Sequence, residues 1–252
     1  MNSFSLIRDM VRYWCAPQFG RPRERLDPGG ALALIGLVCL VILALNPLRL
    51  VVLSVMNTVG VDMPEASDAV KARMQTADFV YLAVLIAPIR EELFFRGWLA
   101  SRLGILVVMP VGLCAVCAVM ILWRGQGGPG AVAAVAIMVG ALALYLSRWW
   151  SLRDRPEVLD AMTHQIFGWV FWGVVIVFGL VHVGNLEAGS PIWLWPVLVS
   201  PQLMVGAVLG YLRMRFGLFI AIAFHSAYNF ALVTLATLVM VGSGQSAGMV
   251  AF

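Results

Sequence analysis

Eight consecutive residues, Ile89-Arg90-Glu91-Glu92-Leu93-Phe94-Phe95-Arg96, set two carboxylates and two guanidinium groups at the end of an apolar run that begins at Phe79. A charged side chain in hydrocarbon is costly, so such residues face a bundle interior or a wet cavity rather than lipid. Three later polar residues, His182, His225 and Asn229, also lie inside apolar runs. On a helix, Glu92 and Arg96 are i,i+4 neighbours with the acid N-terminal, the favourable order for an ion pair. Glu91 then points about 100° away from Glu92. The two carboxylates are suited to different tasks, Glu92 held ionised by Arg96 and Glu91 facing a cavity as a base. Phe178 and His182 are also spaced i,i+4, as are His225 and Asn229, and that spacing puts each pair on one helix face. If these sites meet in one cavity, the chemistry open to them is hydrolysis. The plainer reading of the acid pair is a salt-bridge cluster at a helix end, and that of a lone histidine is a hydrogen-bonded interior residue. His164 is expected in a loop as an ordinary solvated or interfacial residue.

The elements that must position these residues follow from composition. The chain has 252 residues, 62% hydrophobic and 12% charged, with a net charge of +4, and its mean hydropathy is +0.92. Soluble domains are about half apolar and about a quarter charged, so the expected fold is all-α, a polytopic membrane helix bundle. Residues 1–30 form a basic N-terminal segment that either lies on the membrane surface or is a partly ordered tail, 31–242 a single transmembrane domain, and 243–252 a short tail. The apolar runs predict seven spans, near 31–44 (or on to 56), 78–102, 104–123, 131–146, 166–183, 192–212 and 216–241. Pro47 makes an eighth element if it splits the first region, and Pro196 and Pro201 are expected to bend the sixth. Each run approaches the roughly 20 residues that cross a bilayer. With the N-terminus in the cytoplasm, Arg102, Arg148, Arg153, Arg155, Arg213 and Arg215 fall in inside loops, as the positive-inside rule requires. By this map Glu91 and His225 lie near mid-membrane and His182 near the outer end of its span. The five arginines before the first run leave no room for a cleavable signal peptide. No basic-aromatic surface pattern points to nucleic acid. Cys114 and Cys117 form a C-x-x-C inside an apolar run and read as packing residues.

Taken together, the motifs resemble those of the CAAX-protease and bacteriocin-processing family, also called the ABI family, which includes type II CAAX prenyl endopeptidases. Glu91-Glu92-Leu-Phe-Phe-Arg96 is similar to its E-E-x-x-x-R motif, Phe178-Gly-Leu-Val-His182 to its F-x-x-x-H, and His225-Ser-Ala-Tyr-Asn229 to its H-x-x-x-N. The order and wide spacing also fit. The resemblance covers roughly residues 78–240, and the stretch 104–165 departs from it as a long insertion. It implies an intramembrane endopeptidase of the glutamate type in which Glu91 and His182 bind and activate a water while His225 and Asn229 stabilise the oxyanion. Glu92 and Arg96, with Phe178, match supporting positions. The chemistry agrees: a positioned base contributes about 10²–10⁴ in rate, and losing one oxyanion donor costs about 10²–10³. An asparagine amide donates but does no acid–base work. The implied partners are the lipid bilayer and a membrane-associated protein or peptide, with no cofactor and no nucleic acid. Arg-rich, Lys-poor loops fit a bacterial inner membrane.

Three other readings stand beside this one. Glu91, His182 and His225, with Glu92, offer nitrogen and oxygen ligands of the kind zinc takes, although no H-E-x-x-H is present. Intramembrane acids and histidines also build ion or proton paths in transporters, but no inverted repeat is evident. A scaffold or immunity protein that keeps the motifs without turnover is the third.

Overall fold

Where no water reaches the backbone, a chain satisfies its N–H and C=O groups within its own helices. The computed structural model describes residues 3–20, 28–58, 78–124, 128–185 and 192–242, and among them every regular element is helical. An amphipathic α1 (Ser3–Cys15) precedes a long α2 (Pro28–Thr58). Helix α3 (79–96) passes from Phe79–Tyr81 through a π-helical stretch, Leu82–Ile86, into Ala87–Arg96. Helix α4 (104–124) likewise opens with a π-helical stretch, Gly104–Val108, before Met109–Arg124. Then come α5 (Pro129–Ser151), α6 (Pro156–Val181) with a 3₁₀ turn at His182–Asn185, the short α7 (Trp195–Leu198), α8 (Ser200–Arg215) and α9 (Leu218–Gly242). Within the described residues, three helices are long and apolar enough to cross a membrane: Pro129–Ser151, Pro156–Asn185 and Leu218–Leu235. Gly29–Ile42 and Gly104–Val119 are shorter apolar helices. The chain is thus a multi-pass membrane protein.

Several helix ends differ from expectation. Pro47 does not split the first region, because α2 runs unbroken for 31 residues; a membrane helix tolerates the one hydrogen bond a proline removes. Helix α3 stops at Arg96 instead of continuing to 102. The polar stretch 147–165 is mostly helix, with α5 extending to Ser151 and α6 starting at Pro156. Proline at the first helical position and Glu157 in the first turn are helix-start signals that outweigh polarity. His164 therefore lies on α6, exposed, its ring 5.6 Å from that of Phe19. The sixth run breaks at Val199, one residue before α8 begins with Ser200 and Pro201. The expected loop 57–77, the turns around 125–127 and 186–191, and the tail 243–252 lie outside the described residues, save for positions 57–58 at the end of α2.

Helix α8 is the centre of the bundle. Residues Val205 to Leu212 are all buried, as expected for a helix enclosed on every side. It packs antiparallel to α6 through small residues that let the backbones approach. A Cβ on Gly210 would meet the Phe171 ring at 2.7 Å, one on Gly206 would meet Phe178 at 3.0 Å, and one on Gly179 would meet Leu203 at 2.6 Å. Leu6 and Met10 of α1 join the same core. Asp9 accepts from the Tyr211 hydroxyl at 2.7 Å and pairs with Arg215 at 3.1 Å, and the Trp14 indole donates to Ala207 O. The N-terminal segment is thus anchored against α8 at its Arg215 end. Gly217, at φ 103°, makes the tight turn from α8 into α9.

Candidate active site

Glu92 and Arg96 are the most deeply placed charges, both 0% exposed. Arg96 Nη1 lies 2.5 Å from Glu92 Oε1, its Nη2 donates to Gly206 O at 3.2 Å, and its guanidinium carbon sits 4.6 Å from the centroid of the Phe178 ring. Buried charges are tolerable only when paired and hydrogen-bonded, and this pair is both. Arg96 can come this close to α8 because Gly206 carries no side chain: a Cβ there would lie 3.5 Å from Arg96 Nη2.

The carboxylate held by Arg96 also holds a histidine. His225 Nδ1 on α9 lies 3.0 Å from Glu92 Oε1, so the ring is fixed with Nδ1 toward Glu92 and Nε2 on the opposite side. Nε2 faces Glu91 Oε2 at 3.9 Å, beyond direct hydrogen-bond reach. The two carboxylates therefore sit in different surroundings. Glu92 is fully enclosed, whereas the Glu91 side chain is 30% exposed and its Oε2 atom is buried with no hydrogen-bond partner among the described residues.

His182 closes another side. At the end of α6 its backbone N–H turns to Gly179 and Leu180, which leaves Phe178 O without its usual partner four residues on. The His182 side chain takes that place, with Nδ1 2.7 Å from Phe178 O. A carbonyl only accepts, so Nδ1 carries the proton and the Nε2 lone pair is left available. Phe178 joins the parts: its ring lies 4.9 Å from His182 and 6.0 Å from His225, and Phe95 packs on it at 5.4 Å. Asn229, one turn beyond His225, donates its amide to Ala83 O on α3 at 2.8 Å.

The expected difference in depth between His182 and the acids is absent. Antiparallel packing aligns Phe178 with Gly206 and Phe171 with Gly210. Phe178 is 22 residues into α6, whereas Gly206 is nine from the end of α8. The first part of α6 overhangs the Arg215 end of α8, and α6 runs unbroken from Pro156 to Val181. All seven sequence-selected residues thus belong to one neighbourhood. Gly206, Ala83 and Arg213 were not among them. Arg213, expected in a basic loop, lies on α8 and donates from Nε and Nη2 to Arg96 O and Gly97 O at 2.8 and 3.2 Å, capping α3. The Gly206–Gly210 spacing was the available signal for the first of these; backbone acceptors such as Ala83 O leave none. Among the described residues, no three His, Cys, Asp or Glu side chains form a group arranged to hold a metal ion. Cys114 is buried, Cys117 is half-buried and both are free thiols.

The chain matches the family model described as Type II CAAX prenyl endopeptidase Rce1-like over residues 74–154 and 155–231, more than half its length. No curated protein and no solved structure gives a match.

Proposed function

The chain belongs to the type II CAAX prenyl endopeptidase Rce1-like family, and from that premise we propose that it is an intramembrane endopeptidase of the glutamate type. Glu91 is the base, and with His182 Nε2 it holds the attacking water against the scissile carbonyl. His225 Nε2 and the Asn229 amide face the carbonyl oxygen as it becomes an oxyanion. Glu92 and Arg96 take no part in proton transfer and fix His225 from below. The substrate is a protein or peptide associated with the bilayer, lipidated near its C-terminus as the family description implies, and the N-terminus of the enzyme faces the cytoplasm of a bacterial cell.

One observation carries this reading: a half-exposed carboxylate, Glu91, lies 3.9 Å from the free nitrogen of a histidine whose other nitrogen is held by a separate, buried carboxylate. A salt-bridge anchor has no need of the second acid. The site also has the low-dielectric surroundings in which a few fixed donors act strongly on developing charge.

The test compares membrane-protein termini from cells carrying wild-type protein and Glu91→Gln, followed by cleavage of a tethered peptide by purified protein. Glu91→Gln should lower turnover by about 10²-fold or more. Cleavage in the presence of a strong chelator should equal that in its absence; loss that zinc restores would favour the metal alternative at Glu91, His182 and His225. A cellular phenotype that persists in both Glu91→Gln and His182→Ala, with no cleavage by either, would favour the scaffold reading.

A further inference from the structure

The π-helical stretch in α3 explains how Asn229 is held. In that stretch the Ala87 N–H is given to Leu82 O, five residues back. In the same register Ala83 O would take the N–H of residue 88, but residue 88 is proline and has none. A carbonyl left without a donor in apolar surroundings is costly. Asn229 on α9 meets that need, its Nδ2 donating to Ala83 O at 2.8 Å. Pro88 is buried directly beside this register shift.

A related arrangement lies away from the site. In α4 the Met109 N–H is given to Gly104 O, Pro110 follows, and the Tyr145 hydroxyl of α5 donates to Leu106 O at 2.8 Å, four residues before the proline. In both places a proline comes two residues past a π-helical stretch, and a polar side chain from another helix takes a carbonyl of the preceding turn, five residues before the proline in α3 and four before it in α4.

We propose that Pro88 is a positioning residue for Asn229: by withholding an N–H it reserves Ala83 O as the anchor for one amide hydrogen, which fixes the rotamer of the side chain and aims its second hydrogen at the reacting carbonyl. The proposal rests on the protease reading for the use of that second hydrogen, but not for the anchor itself. An alanine at position 88 returns a backbone donor to this turn, which competes for Ala83 O and lets the amide swing.

The experiment has two arms, each with wild type, Pro88→Ala, Asn229→Ala and the double variant. In steady-state cleavage of a tethered peptide, Pro88→Ala should lower kcat about tenfold or more while KM stays within about twofold. In thermal unfolding in detergent, Asn229→Ala should lower the melting temperature in the wild-type background and have little effect beside Pro88→Ala. Pro110→Ala and Tyr145→Phe repeat the chemistry away from the site and should change unfolding but not kcat. A wild-type kcat for Pro88→Ala alongside an inactive Asn229→Ala would overturn the proposal and leave the protease reading standing. Equal unfolding penalties for Asn229→Ala in the two backgrounds would also overturn it. Full cleavage by Asn229→Ala would instead overturn the role of that amide in catalysis, with the unfolding cycle still deciding the anchor. Should Pro88→Ala fail to accumulate, Pro88→Ser restores the same N–H and is read in the same way.

Discussion

Deleting the Arg96 guanidinium tests whether the buried ion pair exists to hold His225. In Arg96→Leu the Glu92 carboxylate, 0% exposed, would keep only the imidazole at 3.0 Å. The bond to Gly206 O and the stacking on Phe178 would vanish as well. Breaking a buried pair from one side costs about 3–5 kcal/mol, most of it the penalty of the stranded charge. For a chain of this size, each kcal/mol moves the melting temperature by about 2–4 °C, so the expected drop is about 6–20 °C. Unfolding can be followed by the loss of helical circular dichroism in detergent. Replacing both partners, as in Glu92→Leu with Arg96→Met, removes the stranded charge and should recover most of the stability. Neither variant should cleave well: without Glu92 Oε1, or with that carboxylate drawn out of place, His225 is no longer aimed, and misplacement by about 1 Å costs about 10²-fold. The reasoning is refuted if Arg96→Leu melts within about 2 °C of wild type, or if the double variant is no more stable than the single one.

Two further outcomes follow from contacts along α8. Gly206→Ala places a methyl group 3.0 Å from the Phe178 ring and 3.5 Å from the Arg96 guanidinium, so it should cost about 1–3 kcal/mol and also lower kcat. Gly210→Ala meets only Phe171, and at a similar stability cost its kcat per folded molecule should be unchanged. Arg213→Ala removes two bonds to the last carbonyls of α3, about 1–3 kcal/mol in the melt, and Arg213→Lys, with no planar fork, should recover less than half of that loss.

What could be read from the sequence was what depends on local spacing. Glu92 and Arg96, Phe178 and His182, and His225 and Asn229 are each four residues apart, so one helical turn determines that the members of a pair are neighbours. That Glu91 and Glu92 diverge also follows from helix geometry, and the exposures of 30% and 0% bear it out. The limits of the helices were harder to read, because polarity marks where a chain leaves hydrocarbon, not where it stops being helical. Arg148, Trp149 and Trp150 extend α5, and Pro156 starts α6 ten residues before the apolar run at Ile166. The difference in depth assigned to His182 came from the same source, since counting from Ile166 ignored the overhang. Arg213 was read for its charge in orienting the chain, but the geometry of its donors gives it a second task that only tertiary contact reveals.

Three side chains of this site are aimed by backbone carbonyls, and for two of them an irregularity in the helix makes the carbonyl available. Gly206, with no side chain, lets Arg96 reach its carbonyl on α8. Pro88 frees the one that takes Asn229. The change from α to 3₁₀ geometry at the end of α6 frees Phe178 O for His182. A carbonyl already engaged in a helix can accept a second bond through its other lone pair, as Gly206 O does, but one left without its backbone donor makes the stronger claim on a side chain. Side-chain acceptors could do the same work, but each would be another polar group to bury, at a cost that rises where water is excluded. His225 is held by a side chain instead, and the acid that holds it needs Arg96 for its own compensation. The glycines and prolines near the motifs are therefore as much part of the site as the charged residues. Changes to them should lower turnover while leaving every ionisable group in place.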